Sequence, residues 1–350
     1  MVSCAQSRAR PRGLATAPRE GGRMTTMQIC HAPRPGGPEA LRFLAVPRPE
    51  PGPGQVLIRV GAVGVNRLDA MQRAGNYPLP PGVNPVLGVE VGGEVVATGP
   101  EVHGIAVGMR VAALLEGGGY AEFACADHRH VAPVPRDWDD IRAAAVIETF
   151  CTAHETLFEL SRLAPGERVL IHAGGSAVGS TAIRMAQAVG AEIATTTGRE
   201  DKADRLRAMG VPHVLNYRQG DFAAALREIW PDGLDVIEDF VGPANLARHI
   251  DLLRWRGRIA LVGLLSQGMA EFDVAKVLTR MIQLRGFTLR PHSATEKAAV
   301  VARFRRRWLP ELAAGRIAPD IHAVLPFGDA VQAHRILEAA DNFGKIILRM

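Results

Sequence analysis

Residues 168–190 read RVLIHAGGSAVGSTAIRMAQAVG. A short apolar run, Val169-Leu170-Ile171, enters a turn rich in glycine, and a helix of small residues follows. This is the order strand, turn, helix N-terminus. Such a turn lets a pyrophosphate approach the free N–H groups and positive dipole end of the helix. The turn itself, Gly174-Gly175-Ser176-Ala177-Val178-Gly179, carries Ala177 where the common fingerprint has glycine, and a lone hexamer of this kind is weak evidence. Its surroundings strengthen it. Ala191 to Thr197 is a β-branched run that reads as a second strand, and Asp201 to Met209 reads as a helix stopped by Gly210.

The alternation continues outward. Val214 to Tyr217, Leu234 to Asp239, Arg258 to Val262 and Gln283 to Leu289 read as further strands, with helices over Phe222 to Trp230 and Ala244 to Arg254. Six parallel strands with covering helices predict a doubly wound α/β sheet of Rossmann type. Upstream, the pattern is β structure punctuated by Gly and Pro. Strands are expected at Gln55 to Val60, Val89 to Thr98, Val107 to Val111 and Gly119 to Ala124, as in a barrel-like domain. A long helix near Ala298 to Leu312, a helix over Gly328 to Ala340 and a strand at Lys345 to Leu348 are expected to complete that first domain. The boundaries that follow are 1–26 for an extension, 27–150 for the β domain, 151–290 for the Rossmann domain and 291–350 for the return.

The 350 residues carry a formal charge of +5. Residues 1–23 hold five arginines against Glu20, a net of +4, so the remainder is nearly neutral at +1. The folded part is therefore not expected to bind nucleic acid. Residues 1–26 lack the apolar core of a secretory signal and are expected to be a disordered extension, a transit-like segment, or sequence upstream of a start at Met24 or Met27. No apolar run has membrane-spanning length. Cys4, Cys30, Cys125 and Cys151 are scattered, with neither metal-ligand spacing nor a disulfide framework, which points to a reducing, cytoplasmic setting.

The nucleotide is read from the end of the second strand. NAD-binding units usually place an acid there for the ribose 2′-hydroxyl. Here Thr197-Gly198-Arg199 is followed by Lys202, and Tyr217 closes the third strand. Loss of the acid removes repulsion against a 2′-phosphate, and the cations attract one, so NADPH is expected. Cys151 is expected to pack rather than react, because His154 follows too closely in the same helix to serve it as a base. His172 reads as a strand residue.

Together these segments resemble the medium-chain dehydrogenase/reductase superfamily, with its GroES-like catalytic domain and Rossmann domain. More narrowly they resemble its zinc-independent quinone oxidoreductases, above all the tumour-suppressor-inducible group. Val65-Asn66-Arg67-Leu68-Asp69-Ala70-Met71-Gln72-Arg73-Ala74-Gly75-Asn76-Tyr77 matches that group's N-R-x-D-x-x-Q-R-x-G-x-Y pattern, and Leu114 to Gly119 and Asn342-Phe343-Gly344-Lys345-Ile346 match further segments. The similarity runs from Met27 to Leu348. In the superfamily's zinc alcohol dehydrogenases a Cys and a His stand where this chain has Asn66 and Val89, and Glu148 lies near the third ligand position, so no metal is expected.

The resemblance implies hydride transfer from NADPH to a small quinone, with an enone or enoyl substrate, or an NADPH-binding crystallin-like protein of little turnover, as alternatives. It assigns Tyr77 to the substrate carbonyl and Asn66 to the nicotinamide or substrate. It implies cofactor contacts from Thr152, Ser176, Ala177, Val178, Gly179, Gly198, Arg199, Lys202, Tyr217, Phe240, Val241, Gly263, Leu264, Leu265, Asn342 and Lys345. A homodimer paired through the Gln283 to Leu289 edge is also implied. Met109 stands where the family often has Asp after Gly108, which is expected to change a turn hydrogen bond.

Overall fold

The computed structural model describes residues 19–20, 23–79, 82–266 and 268–350. The expectation for residues 1–26 therefore falls largely outside the described residues. Within that stretch Arg19–Glu20 pairs antiparallel with Arg23–Met24.

The six-stranded sheet is parallel throughout. Its spatial order is His213–Asn216, Glu192–Thr197, Arg168–Ile171, Leu234–Asp239, Leu253–Leu261, Gln283–Gly286. The order reverses between Arg168–Ile171 and Leu234–Asp239, and open α/β sheets bind ligands beyond the strand ends at such a reversal. The fifth strand begins at Leu253, five residues before the expected Arg258, because Leu253 pairs with Leu234 across an irregularity in the ladder. The preceding helix accordingly ends at Leu252.

The second sheet is ordered Ile321–Pro326, Lys345–Arg349, Gln55–Val65, Glu90–Thr98, Arg110–Leu114, Val131–Pro133, with Phe123–Asp127 also paired to Gln55–Val65. The chain's last strand thus returns to the first domain. It runs antiparallel to Gln55–Val65, with Ile346 opposite Val65. Two boundaries differ from expectation. Gly108 has φ +86, so the strand expected at Val107 cannot start before Arg110. Gly119 and Tyr120 are held in a turn by hydrogen bonds to Gly88 and Leu87, which delays the next strand to Phe123. Met109 closes the tight turn at Ala106, whose N–H donates to the methionine sulfur at 3.4 Å.

The helix Ile147–His154 continues as a π-helical turn over Glu155–Leu160 and packs between the two sheets. Phe150, Leu157, Val169, Ile183, Phe304 and Trp308 share one buried cluster that joins it to the Rossmann sheet and to helix Ala294–Arg307. That last helix ends before Leu312, and Leu309–Ala313 forms a separate one, because Pro310 has no N–H to continue the ladder. Among the described residues no helix is long and apolar enough to cross a membrane.

Candidate active site

A cleft of about 1450 Å³ opens at the strand ends between the two sheets. That is large enough for a dinucleotide with a small second ligand. Of the residues singled out from sequence, all but Gly179 and Lys345 line it.

The glycine-rich turn forms its floor. Ser176 is the N-cap of helix Ala177–Ala188, and its hydroxyl accepts the Gly179 N–H at 3.0 Å. The first-turn N–H groups of Ala177 and Val178 have no intrahelical partner and are available to an anion. Ala177 takes an ordinary helical position, so its methyl demands no unusual backbone. The strained residue is Ala173, at φ +51. Gly179 is not a lining residue. It faces the Ala173 carbonyl, where a Cβ would stand 2.4 Å from the oxygen, so only glycine permits this turn to close. These features fit a pyrophosphate on the helix terminus.

Gly198, Arg199, Lys202 and Tyr217 meet at one corner of the cleft, with Arg218 beside them. The Tyr217 ring lies against Gly198, leaving no room there for a side chain. Arg199 is exposed and held by Asp201 at 2.9 Å and Asp341 at 2.6 Å. Lys202 is buried along its stem and donates to the Ala340 carbonyl at 2.7 Å. The corner offers cations and a phenol, and no acid stands at the Thr197 position. Arg218 was missed from sequence although it directly follows Tyr217.

At the other end the last strand sets the chemistry. Because Ile346 is opposite Val65, Lys345 lies beside Asn66. Lys345 is buried, and its ammonium donates to Asn66 Oδ1 at 2.6 Å and pairs with the buried carboxylate of Glu90. Asn66 Nδ2 donates to Glu90 Oε1 at 2.9 Å. Lys345 therefore does not face the cleft as expected; it fixes Asn66, whose amide is engaged at both ends. The Tyr77 hydroxyl lies 3.2 Å from Thr288 Oγ1, and the Arg290 guanidinium stands 5.4 Å from its ring centroid. Thr288, Arg290 and Glu90 were not singled out from sequence. The Thr288-Leu289-Arg290 run, just beyond the edge strand Gln283–Gly286, was the available signal.

The residues at the zinc-ligand positions do not fit a zinc ion. Val89 offers no donor, Asn66 is committed to Lys345 and Glu90, and an ammonium already occupies the neighbourhood. Glu148 and Thr152, one turn apart on their helix, face the cleft and are joined by a hydrogen bond of 3.2 Å. Cys151, between them in sequence, is buried, and burial raises its thiol well above the usual range. His154 instead accepts from Trp308 Nε1 at 3.0 Å.

His172 is more than a strand residue. Its Nδ1 is 2.8 Å from Thr196 Oγ1 and its Nε2 is 2.7 Å from His249 Nε2. His249 Nδ1 is in turn 3.3 Å from Asp239 Oδ2. Asp239 Oδ1 accepts the N–H groups of Val241 and Gly242 at 2.7 and 3.0 Å and so shapes the loop that lines the cleft. Burial, then the neighbouring His249, pushes His172 down to about 3. The donor atoms of His172, Asp239 and His249 lie within 4.8 Å of one another. A zinc with bonds near 2.0–2.1 Å would hold two nitrogens roughly 3.3 Å apart, more than the direct imidazole contact allows. Thr196, His172, His249 and Asp239 form a buried polar brace across three strand ends, hydrogen-bonded from Thr196 to His249 and closed by the 3.3 Å contact with Asp239.

Residues 52–136 match the alcohol dehydrogenase GroES-like domain and residues 177–304 the family described as zinc-binding dehydrogenase. A 2-haloacrylate reductase from Burkholderia sp. is 33% identical over 324 residues, covering 89% of this chain and 96% of that protein. A mycocerosic acid synthase-like polyketide synthase of Mycobacterium tuberculosis is 33% identical over 319 residues, 90% of this chain. The chain spans only 15% of that synthase's length. Among solved structures, a mycobacterial protein complexed with NADPH superposes with a TM-score of 0.83 at 31% identity, covering 93% of this chain and 100% of that one. A mycobacterial quinone oxidoreductase gives 0.82 at 30%, with the same coverage. The chain belongs to the medium-chain dehydrogenase/reductase superfamily and is one of its oxidoreductases.

Proposed function

We propose that this protein is an NADPH-dependent reductase of small quinones that works without a metal, in the zinc-independent branch nearest the tumour-suppressor-inducible group. The observation that carries the reading is the seating of Lys345 against Asn66 and Glu90, beside Val89, where a zinc site would need ligands. Ser176, Ala177 and Val178 would hold the pyrophosphate, and Arg199, Lys202, Tyr217 and Arg218 the 2′-phosphate. When bound, the reduced nicotinamide supplies a hydride. The Tyr77 phenol donates a hydrogen bond to the acceptor carbonyl and stabilises the oxyanion that develops there, with Thr288 orienting the hydroxyl. Asn66 presents a fixed amide at the reacting end. The similarity to a 2-haloacrylate reductase along nearly its whole length favours a second reading, an activated alkene in place of the quinone. Both acceptors are electrophilic enough that positioning and one donor suffice.

Oxidation of NADPH by the purified protein with quinones, enones and enoyl thioesters decides the reading. No turnover with any of them, despite NADPH binding, would overturn it. We place a second copy of the chain on the edge strand Gln283–Gly286. Met269, Val274, Leu278 and Leu284 are exposed around that edge, which is unpaired among the described residues.

A further inference from the structure

Four ionisable groups are packed together under the Asn66 end of the cleft: Asp69, Glu90, Glu148 and Lys345. Three carboxyls face one ammonium, and a low-dielectric interior does not hold three negative charges against one positive. The three carboxyls differ in the donors that reach them. Glu90 pairs with Lys345, accepts Asn66 Nδ2 at 2.9 Å through Oε1, and accepts the Glu148 N–H at 3.1 Å through Oε2. Asp69 accepts the N–H groups of Asn66 and Gly88 at 2.8 and 3.0 Å, one on each oxygen. Those donors suit carboxylates. Glu148 accepts only the Thr152 hydroxyl, at 3.2 Å, and its shielded Oε2 has no partner. Burial lifts Glu148 to about 7; Glu90 and Asp69 add to this, and Lys345 and the Thr152 bond oppose it. Asp69 is lifted less, to about 6, by burial against its two N–H donors.

We propose that Glu148 is the proton donor of the site. This rests on the reductase reading above. As the hydride and its two electrons reach the β-carbon of an enone, the π pair moves to the carbonyl oxygen. Glu148 then gives its carboxyl proton to the α-carbon, and its carboxylate takes a proton from water in the cleft. With a quinone the same proton goes to the oxygen that gains charge. Tyr77 holds the oxyanion and keeps its own proton.

The test uses Glu148→Gln and Glu148→Asp, each first shown to bind NADPH by fluorescence titration. Glu148→Gln should lower kcat for an enone by roughly 10²–10⁴-fold. In D₂O it should place deuterium on both faces of the α-carbon, whereas wild type and Glu148→Asp keep one face. A rate within twofold of wild type, or unchanged facial selectivity, overturns the proposal. Infrared titration of the unliganded protein gives an arm independent of turnover. The wild-type minus Glu148→Gln difference spectrum should contain a carboxylic-acid band that is lost through about pH 7, set apart from the Glu238 band common to both proteins. If wild type reduces no acceptor, the reductase reading fails while this band still reports on Glu148; its absence at pH 6 overturns the proton assignment.

Discussion

The nucleotide corner yields a prediction with opposite signs at two neighbouring residues. Arg199 is the N-cap residue of helix Glu200–Ala208, and its guanidinium is shared between Asp201 and Asp341. A 2′-phosphate entering beside Gly198 would take up the same guanidinium. The guanidinium is solvent-exposed, so water and salt screen its contact with the phosphate and leave a modest effect. Arg199→Ala should therefore weaken NADPH binding about 5- to 30-fold and leave NADH within about twofold. Asp341 acts the other way. Its carboxylate, on the far side of one guanidinium, would lie roughly 6 Å from the phosphate, where the repulsion in water is about 0.7 kcal/mol per unit charge. Asp341→Asn should tighten NADPH about threefold, an effect that fades at high salt. The double variant should keep much of that gain on the weakened Arg199→Ala background, because the Asp341 carboxylate repels the phosphate directly. Calorimetric titration of both nucleotides at low and high ionic strength measures all of this. Equal NADPH and NADH affinity in wild type, or equal weakening of both by Arg199→Ala, would refute the reasoning.

Four further outcomes are expected. Tyr77→Phe should cost about 10²-fold in quinone turnover with NADPH affinity intact; unchanged turnover would remove the role given to the phenol. Gly344 has φ +80, and a Cβ there would stand 2.2 Å from the Asp320 carbonyl oxygen, so Gly344→Ala should lower the thermal midpoint by several degrees; a shift under about one degree contradicts the packing. Sedimentation at micromolar concentration should show a dimer that Leu278→Glu dissociates, and a wild-type monomer would sink the edge pairing. Glu238 lies on a central strand with Oε1 accepting from Thr156 at 2.5 Å, and burial lifts it to about 8. The folded state thus holds a proton that the unfolded chain releases. Its stabilisation is full below the ordinary glutamate value near 4.3 and is lost as pH rises to about 8, with a slope of about 1.4 kcal/mol per pH unit. Urea unfolding should show that slope in the difference between wild type and Glu238→Gln; parallel curves would contradict it.

What the sequence disclosed follows the range of the forces involved. The central parallel strands were legible because they are local apolar, β-branched runs bounded by turns, and a buried parallel strand needs little else; the exposed edge strand Gln283–Gly286 has no such run and ends three residues before the expected Leu289. The helix break at Pro310 was equally local, yet it was read through because the apolar pattern continues past it. The start of the fifth strand was not legible, since Leu253 is drawn into the sheet by Leu234. The candidate site divides the same way. Ser176 to Gly179 and Gly198 to Lys202 are contiguous motifs whose backbone geometry is written in their own residues. Glu90, Lys345 and the brace of His172, His249 and Asp239 are not. Asn66 and Lys345 stand 279 positions apart, and only the return of the last strand brings them together. His172 and His249 are joined across 77 positions by a helix that packs behind the sheet.

That last strand also couples the two ends of the cleft. The Gly344 N–H donates to the Gly175 carbonyl at 3.0 Å, and Gly344 bridges Ser176, the N-cap of the phosphate turn. Asn342 Nδ2 closes the loop on the Gly344 carbonyl at 2.7 Å. The next residue is Lys345, which holds Asn66. One short segment thus touches the turn that would take the pyrophosphate and the amide at the reacting end, with no flexible linker between them. Hydride transfer is sensitive to misplacement of about 1 Å, so a fixed distance between these two anchors matters more than the strength of either. Relaxing the segment should then harm turnover more than nucleotide affinity. An Asn342→Ala variant, which loses the bond that closes the loop, should lower kcat while leaving NADPH binding within a few-fold. Equal loss in both would mean that the segment serves only to bind.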